Sequence, residues 1–193
     1  SARLGGSSGP WQGSVFVNRY RTGGYDLAPG TLAPTRPGYV DYTAQARGQY
    51  DAGAHTTLSL QGRLASQSQD YAVGISSAGT SDDIRYTQSA ERVDWNVSPE
   101  IEQQLGAGWR LTGTLYGAGY HTDQTLRRTS NGRVRSSSTL DQYHGEAETV
   151  LRGTIGSTHL LTAGAGATLE TSDADRKTGQ RVGGFGLVAE EGS

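Results

Sequence analysis

Residues 39–66 read YVDYTAQARGQYDAGAHTTLSLQGRLAS, and this stretch decides the fold. Small or apolar side chains and Tyr occupy every second position from Val40 to Tyr50, with mainly polar side chains between them. After a turn at 51–54, the same alternation returns with Leu58, Leu60 and Leu64. Successive side chains of a strand point to opposite faces, so a period of two predicts a β-hairpin with one apolar and one polar face.

The length of this alternation favours a membrane protein. Strands of soluble domains usually alternate for about four to eight residues, and both arms of this hairpin continue further. A tilted strand needs about 9–11 residues to cross a bilayer, with lipid outside the barrel and polar groups inside. The stretch therefore predicts part of the wall of a transmembrane β-barrel.

Composition narrows the class of protein. Only 33% of the 193 residues are hydrophobic, and the mean hydropathy is −0.58, which leaves little material for a dry core. The 10 Tyr, the 3 Trp and the alternation argue against disorder. The net charge of −2 is dispersed, so no nucleic-acid partner is expected. There is no cysteine, and no apolar run long enough for a spanning helix.

The same pattern extends along the chain, which we interpret as one β-barrel segment covering residues 1–193. Eight up-and-down antiparallel strands are predicted near 11–20, 38–50, 55–69, 91–105, 109–121, 140–152, 158–170 and 183–190. Pro99 should mark a bulge or an unpaired position, and Asn131-Gly132 a turn. Long polar loops are predicted at 21–37, 67–90, 121–139 and 171–181. They alternate with short turns, as in outer-membrane barrels.

Aromatic residues support the same reading. On the presumed lipid face, one group lies near the short turns: Trp11, Tyr50 and Trp109. A second group lies toward the long loops: Tyr42, Trp95 and Tyr143. Tyr42 and Tyr50 are eight positions apart, or about 26 Å along a strand. Such barrels carry an apolar band about 25 Å tall between two aromatic girdles.

No motif indicates catalysis or a metal centre. The four histidines are scattered without ligand spacing, so we predict no metal and no cofactor. An acidic row is expected on the inner face, formed by Glu100, Glu102, Glu146 and Glu148. Its expected partners are Arg47, Arg63, Arg110 and Arg152. Strand alternation alone explains the spacing of these carboxylates, and we expect no enzyme.

Three stretches resemble the barrel of TonB-dependent outer-membrane receptors. Residues 13–25, GSVFVNRYRTGGY, resemble its opening strand, although Gly23 stands where an acidic residue is common. Residues 38–42 together with 58–60 look like the hairpin that follows. Residues 184–191, GFGLVAEE, are similar to a later strand of that family.

The resemblance implies that the chain is roughly the first third of a 22-stranded wall in the bacterial outer membrane. A plug domain and TonB would act through parts of the protein outside this sequence. The cargo would be a large, scarce nutrient such as a ferric siderophore, cobalamin, haem or an oligosaccharide. The lipid bilayer and lipopolysaccharide would surround the wall.

Aromatic and basic residues at the outer mouth are the candidate ligand contacts: Tyr25, Arg36, Tyr39, Tyr71, Arg85, Tyr120 and His121. Two alternatives stay open. One is a self-contained eight-stranded outer-membrane barrel that serves as an anchor or adhesion surface, since eight strands can close a small barrel. The other is a soluble carbohydrate-binding β-sandwich.

Overall fold

The described part of the protein consists of β-strands joined by turns. A computed structural model describes residues 1–26, 36–75, 84–106, 108–156, 159–181 and 187–192. Among these residues there is no helix that is long and apolar enough to cross a bilayer. The strands are β1 Ala2–Ser8, β2 Trp11–Tyr25, β3 Arg36–Asp51, β4 Thr56–Ile75, β5 Ile84–Gly106, β6 Trp109–Arg128, β7 Val134–Ile155, β8 His159–Arg181 and β9 Leu187–Gly192.

The strands form one sheet in chain order, and each strand pairs antiparallel with the next. The predicted all-β, up-and-down antiparallel architecture is confirmed. The sheet is open, with β1 at one edge and β9 at the other.

Pairing across the sheet keeps side chains of like character on one side. Ala46 of β3 pairs with Val15 of β2 and with Gly62 of β4, and Gly62 pairs with Val97 of β5. We call this side the apolar face; it also carries Val17, Ala44, Leu58, Leu60, Leu64, Val93, Ile101, Leu111, Leu115, Ala147, Leu151 and Leu169. The polar face is the opposite side; it carries Ser14, Asn18, Gln45, Arg47, Gln61, Arg63, Asp94, Asn96, Glu100, Thr114, Tyr116, Tyr120, Gln142, His144 and Glu148.

In β2, β4 and β5, most of the large apolar side chains are more exposed than their neighbours on the polar face. In β2, Val15 and Val17 are 50% and 47% exposed, whereas the intervening Phe16 on the polar face is half-buried. In β4, Leu64 is 52% exposed, but the next residue, Ala65 on the polar face, is 3% exposed. This distribution is the reverse of a water-soluble sheet, in which the apolar side faces a core.

One strand was not predicted. Ala2–Ser8 pairs with β2 through a tight turn at Gly9 and Pro10. Its Gly- and Ser-rich sequence has almost no apolar side chains and therefore shows no period of two. The backbone ladder forms nevertheless, because it requires only N–H and C=O groups.

The predicted long loops at 121–139 and 171–181 are wrong, since most of these residues lie in strands β6, β7 and β8. The predicted 67–90 loop likewise belongs largely to β4 and β5, apart from residues outside the described ranges. The strands continue beyond the apolar stretch through segments that are rich in Ser, Thr and Gln. Among the described residues, the end of the sheet with the long connections therefore consists largely of strand extensions.

Two local predictions are confirmed. The β5–β6 ladder is interrupted at Ser98 and Pro99 and resumes at Glu100 in the same register, as expected for a residue without an N–H. The Asn131-Gly132 stretch is a turn, in which Gly132 has a φ of 66° and donates its N–H to the carbonyl of Arg128. The last predicted strand, 183–190, falls partly outside the described residues, and β9 begins at Leu187.

Two tryptophans of the apolar face lie over glycines of the neighbouring strand. A Cβ atom added to Gly119 would overlap the indole of Trp95, and one added to Gly153 would overlap the indole of Trp109. By contrast, a Cβ on Gly145 would meet no atom within 4 Å. The first two glycines therefore serve as platforms for aromatic rings.

We predict that Gly119→Val destabilises the protein by about 1–3 kcal/mol, because the added side chain must displace the Trp95 ring. Gly145→Val is the matched control, since it gains the same strand propensity on the same face and should change the free energy of unfolding by less than about 0.5 kcal/mol. Urea unfolding in lipid vesicles measures both variants. Equal free energies of unfolding would contradict the platform role.

Candidate functional site

Charges on the polar face are unevenly distributed. The middle of β1–β4 carries three cations: Arg3, Arg47 and Arg63. The middle of β5–β8 carries mainly acids: Asp94, Glu100, Glu146, Glu148 and Glu170. The middle of the face is thus cationic on β1–β4 and mainly acidic on β5–β8, and Arg92, Arg110 and Arg152 lie nearer the ends of β5–β7.

The cationic half encloses an open depression of about 600 Å³. The three arginines line it together with Phe16 and Asn96. Arg47 donates a hydrogen bond to Gln61 at 3.2 Å. Arg63 forms an ion pair with Asp94 of the adjacent strand. This depression therefore presents guanidinium groups with one nearby carboxylate.

The expected arginine partners of the acidic row are found only in part. Glu102 pairs with Arg110 across β5 and β6 at 3.4 Å, as predicted. Arg63 instead pairs with Asp94 because that residue lies diagonally across the β4–β5 ladder, where a long side chain can reach. Both pairs are partly exposed, so each contributes at most about 1 kcal/mol to stability.

A second depression, of about 400 Å³, lies on β5–β8 between Tyr116 and Tyr120. We call it the tyrosine cleft. Ala118, two residues from each tyrosine on β6, lies between them, so both rings project from the same face. The polar side chains that line the cleft come from three other strands: Asp94 and Asn96 of β5, Gln142 and His144 of β7, and Glu170 of β8.

Contacts with neighbouring side chains position both tyrosines of the cleft. The rings of Tyr116 and His144 are 5.7 Å apart in an edge-to-face arrangement, and His144 Nδ1 lies 3.1 Å from Glu170 Oε1. At the other tyrosine, the Arg92 guanidinium lies 5.0 Å from the centre of the Tyr120 ring, and its Nε lies 3.4 Å from Asp94 Oδ1. Each tyrosine is thus held by a neighbour that is itself held by a carboxylate.

The predicted ligand residues do not form one group. Tyr39, Tyr71 and Tyr120 share the polar face, on β3, β4 and β6. Tyr39 lies 5.7 Å from Tyr20 between ring centres. The exposed Tyr25 pairs with Arg36 at the far ends of β2 and β3.

The side chains of Arg36 and Arg85 lie outside the described part of the structure. Of the predicted set, only Tyr120 lines the tyrosine cleft. The sequence prediction missed Tyr116 and His144, since only the register between β6 and β7 places them together.

His121 lies on the apolar face, two residues beyond Gly119 and further from the short turns than Trp95 and Tyr143. Its Nδ1 is 2.7 Å from Asp141 and its Nε2 is 3.1 Å from Asp123. Asp123 also accepts a hydrogen bond from the Thr139 hydroxyl at 2.7 Å. Within the described ranges, no group of three or more His, Cys, Asp or Glu side chains is arranged to hold a metal ion.

Hydrogen bonds to Asp141 and then to Asp123 raise the pKa of His121 above its usual 6.5. The Thr139 hydroxyl and then His121 hold the pKa of Asp123 below its usual 3.8. Stabilisation by His121 is therefore complete below pH 6.5 and is lost as the pH rises through its raised pKa. Stabilisation by Asp123 is present above pH 3.8 and is lost as the pH falls through its lowered pKa.

No protein-family model, curated protein or solved structure matches this chain.

We predict that Asp141→Asn lowers the pKa of His121 more than Asp123→Asn does, because the contact to Asp141 has the larger effect. NMR titration of the His121 imidazole measures both shifts. Asp51→Asn, at the opposite end of the sheet, is the control and should leave that titration unchanged. A larger shift in Asp123→Asn than in Asp141→Asn would contradict the assignment.

Proposed function

We propose that this chain forms part of the wall of a transmembrane β-barrel in the bacterial outer membrane. The observation that carries the proposal is the set of exposed apolar side chains on one face, which in β2, β4 and β5 are mostly more exposed than their polar-face neighbours. Hydrocarbon would cover the apolar face, while the polar face would line a watery interior. A bilayer would remove these side chains from water without a second layer of protein.

Aromatic pairs at both ends of the apolar face support this placement. Near the short turns, the rings of Trp11 and Tyr50 are 4.3 Å apart. Near the other end, the Arg19 guanidinium lies 5.7 Å from the ring centre of Tyr42. Aromatic rings and cations are suited to the headgroup region, where the rings remain amphipathic and the cations meet phosphate. We propose lipopolysaccharide as the partner of Arg19.

The topology favours a large wall over either alternative. A β-sandwich requires a second sheet, whereas all nine described strands belong to a single sheet. A self-contained eight-stranded barrel would pair its first and last strands, whereas β1 and β9 each have one neighbour in the described sheet. An open sheet of long strands fits a wall that further strands complete.

Import of a large nutrient is the function that we propose for such a wall. The motifs at residues 13–25 and 184–191 resemble TonB-dependent receptors, in which a plug fills the barrel and TonB supplies energy. The polar face carries cations and acids that are only partly paired with each other, as in the Arg3–Arg47–Arg63 depression. Such a face is suited to water, to a plug of complementary charge and to a polar cargo.

We predict that Val97→Arg destabilises the membrane-inserted protein by about 2–4 kcal/mol, the cost of an arginine at the bilayer midplane. Val97 lies on the apolar face, two residues from Trp95, and is aligned through Gly62 with Ala46, which is midway between Tyr42 and Tyr50. Ser98→Arg places the same side chain on the polar face and should cost less than about 1 kcal/mol. Unfolding titrations in lipid vesicles measure both costs. A water-soluble protein that tolerates both substitutions equally would contradict the membrane assignment.

The import role predicts a nutrient-specific growth defect in a strain that lacks the protein. The strain is grown with limiting iron, cobalamin or carbon, supplied as ferric siderophores, cobalamin, haem or oligosaccharides. We expect a defect on one of these sources that is no larger when TonB is also removed, because both act on one step. Normal growth on every source, or a defect that adds to the loss of TonB, would contradict import through this protein.

A further inference from the structure

We propose that the tyrosine cleft binds a neutral, polyhydroxylated ligand of the saccharide class. The assignment rests on the proposed function, because a cargo reaches the polar face only if that face lines an aqueous interior. It goes further by selecting one chemical class of cargo from the side chains that line the cleft.

The shape of the cleft suits a short saccharide. Tyr116 and Tyr120 are four residues apart on β6, which separates their Cα atoms by about 13 Å. Ala118 between them is small and leaves a floor over which a ligand can lie. The volume of about 400 Å³ is in the range of small-molecule sites.

The side chains provide both kinds of contact that a sugar requires. A pyranose ring presents an apolar C–H face, which packs on an aromatic ring such as that of Tyr116 or Tyr120. Its edges carry hydroxyl groups that both donate and accept hydrogen bonds. Asn96 and Gln142 lie on opposite sides of β6, and their amide groups likewise donate and accept. Hydroxyl groups on both edges of one ring would thus find partners.

Other ligand classes fit the cleft less well. An anion would meet the carboxylate of Glu170, whereas a purely apolar molecule would leave the amides of Asn96 and Gln142 without hydrogen bonds. A neutral polyol avoids both conflicts.

Neighbouring side chains position the two tyrosine rings before a ligand binds. His144 packs edge-to-face on Tyr116 and is paired with Glu170 at 3.1 Å, while Arg92 packs on Tyr120. Fixed rings lose little conformational freedom on binding, so more of the contact energy contributes to affinity. These two tyrosines also share one cleft with amide side chains from both neighbouring strands.

Binding of a panel of neutral hexasaccharides to the full-length protein in lipid nanodiscs tests the assignment. The panel contains glucose, xylose, mannose and galactose polymers, and isothermal titration calorimetry measures Kd. We expect at least one member to bind. Tyr116→Ala and Tyr120→Ala should each raise its Kd by about 3- to 10-fold, the effect of one lost aromatic contact.

Tyr42→Ala is the control, because Tyr42 lies on the apolar face of β3, does not line the cleft and is 51% exposed. It should leave Kd unchanged, and Tyr120→Phe should retain most of the affinity because the stacking ring remains. Circular dichroism confirms that each variant keeps its sheet. Absence of binding by the whole panel, or equal Kd values for wild type and both cleft variants, would overturn the saccharide assignment.

The two proposals fail in different ways. A protein that inserts into membranes and imports a non-saccharide nutrient equally well with Tyr116→Ala and Tyr120→Ala overturns the cleft assignment alone. A protein that does not insert into vesicles overturns both.

Discussion

A sheet one layer thick has no interior, and this constraint determines how each face must be used. From β2 through β8, antiparallel pairing places residues of adjacent strands directly opposite each other. A side chain and its cross-strand partners therefore share a face. Among the described residues, the buried hydrophobic side chains are Ala65 and Tyr86. Many large apolar side chains lie exposed instead, and we propose that a lipid bilayer covers them.

The same ladder creates the features that distinguish the two faces. On the apolar side, Gly119 and Gly153 allow tryptophan rings from adjacent strands to lie against the backbone. Small residues are suited to a surface that meets fluid lipid, because no fixed partner has to be matched in shape. On the polar side, alternation brings tyrosines, amides and carboxylates from four strands into one cleft. The same strand register therefore produces both the apolar face and the polar cleft.

The sequence predicted the fold class well because alternation is a local signal. In residues 39–50 and 57–64, every position could be assigned to a face before any pairing was known. The signal failed for Ala2–Ser8 and for 171–181, where polar or small residues form strands through backbone bonds that side-chain hydropathy does not report.

The candidate site was harder to predict, because it depends on which strand positions stand opposite each other. Tyr120 could be suggested as an isolated aromatic residue, but its relation to Arg92, and that of Tyr116 to His144, requires the registers of β5–β6 and β6–β7. The pairing of Arg63 with Asp94 rather than with the glutamates has the same origin, since a diagonal neighbour is visible only once the ladder is known.

Contact between the apolar face and hydrocarbon is the central claim, and a spin-label scan of β4 tests it most directly. The chain contains no cysteine, so single cysteines at positions 57–64 can each carry one nitroxide without competing sites. In lipid vesicles, labels at Leu58, Leu60, Gly62 and Leu64 should relax strongly with oxygen and weakly with a water-soluble nickel chelate. Labels at Thr57, Ser59, Gln61 and Arg63 should respond to the nickel chelate instead. Equal access of the nickel chelate to both sets of positions would contradict the account.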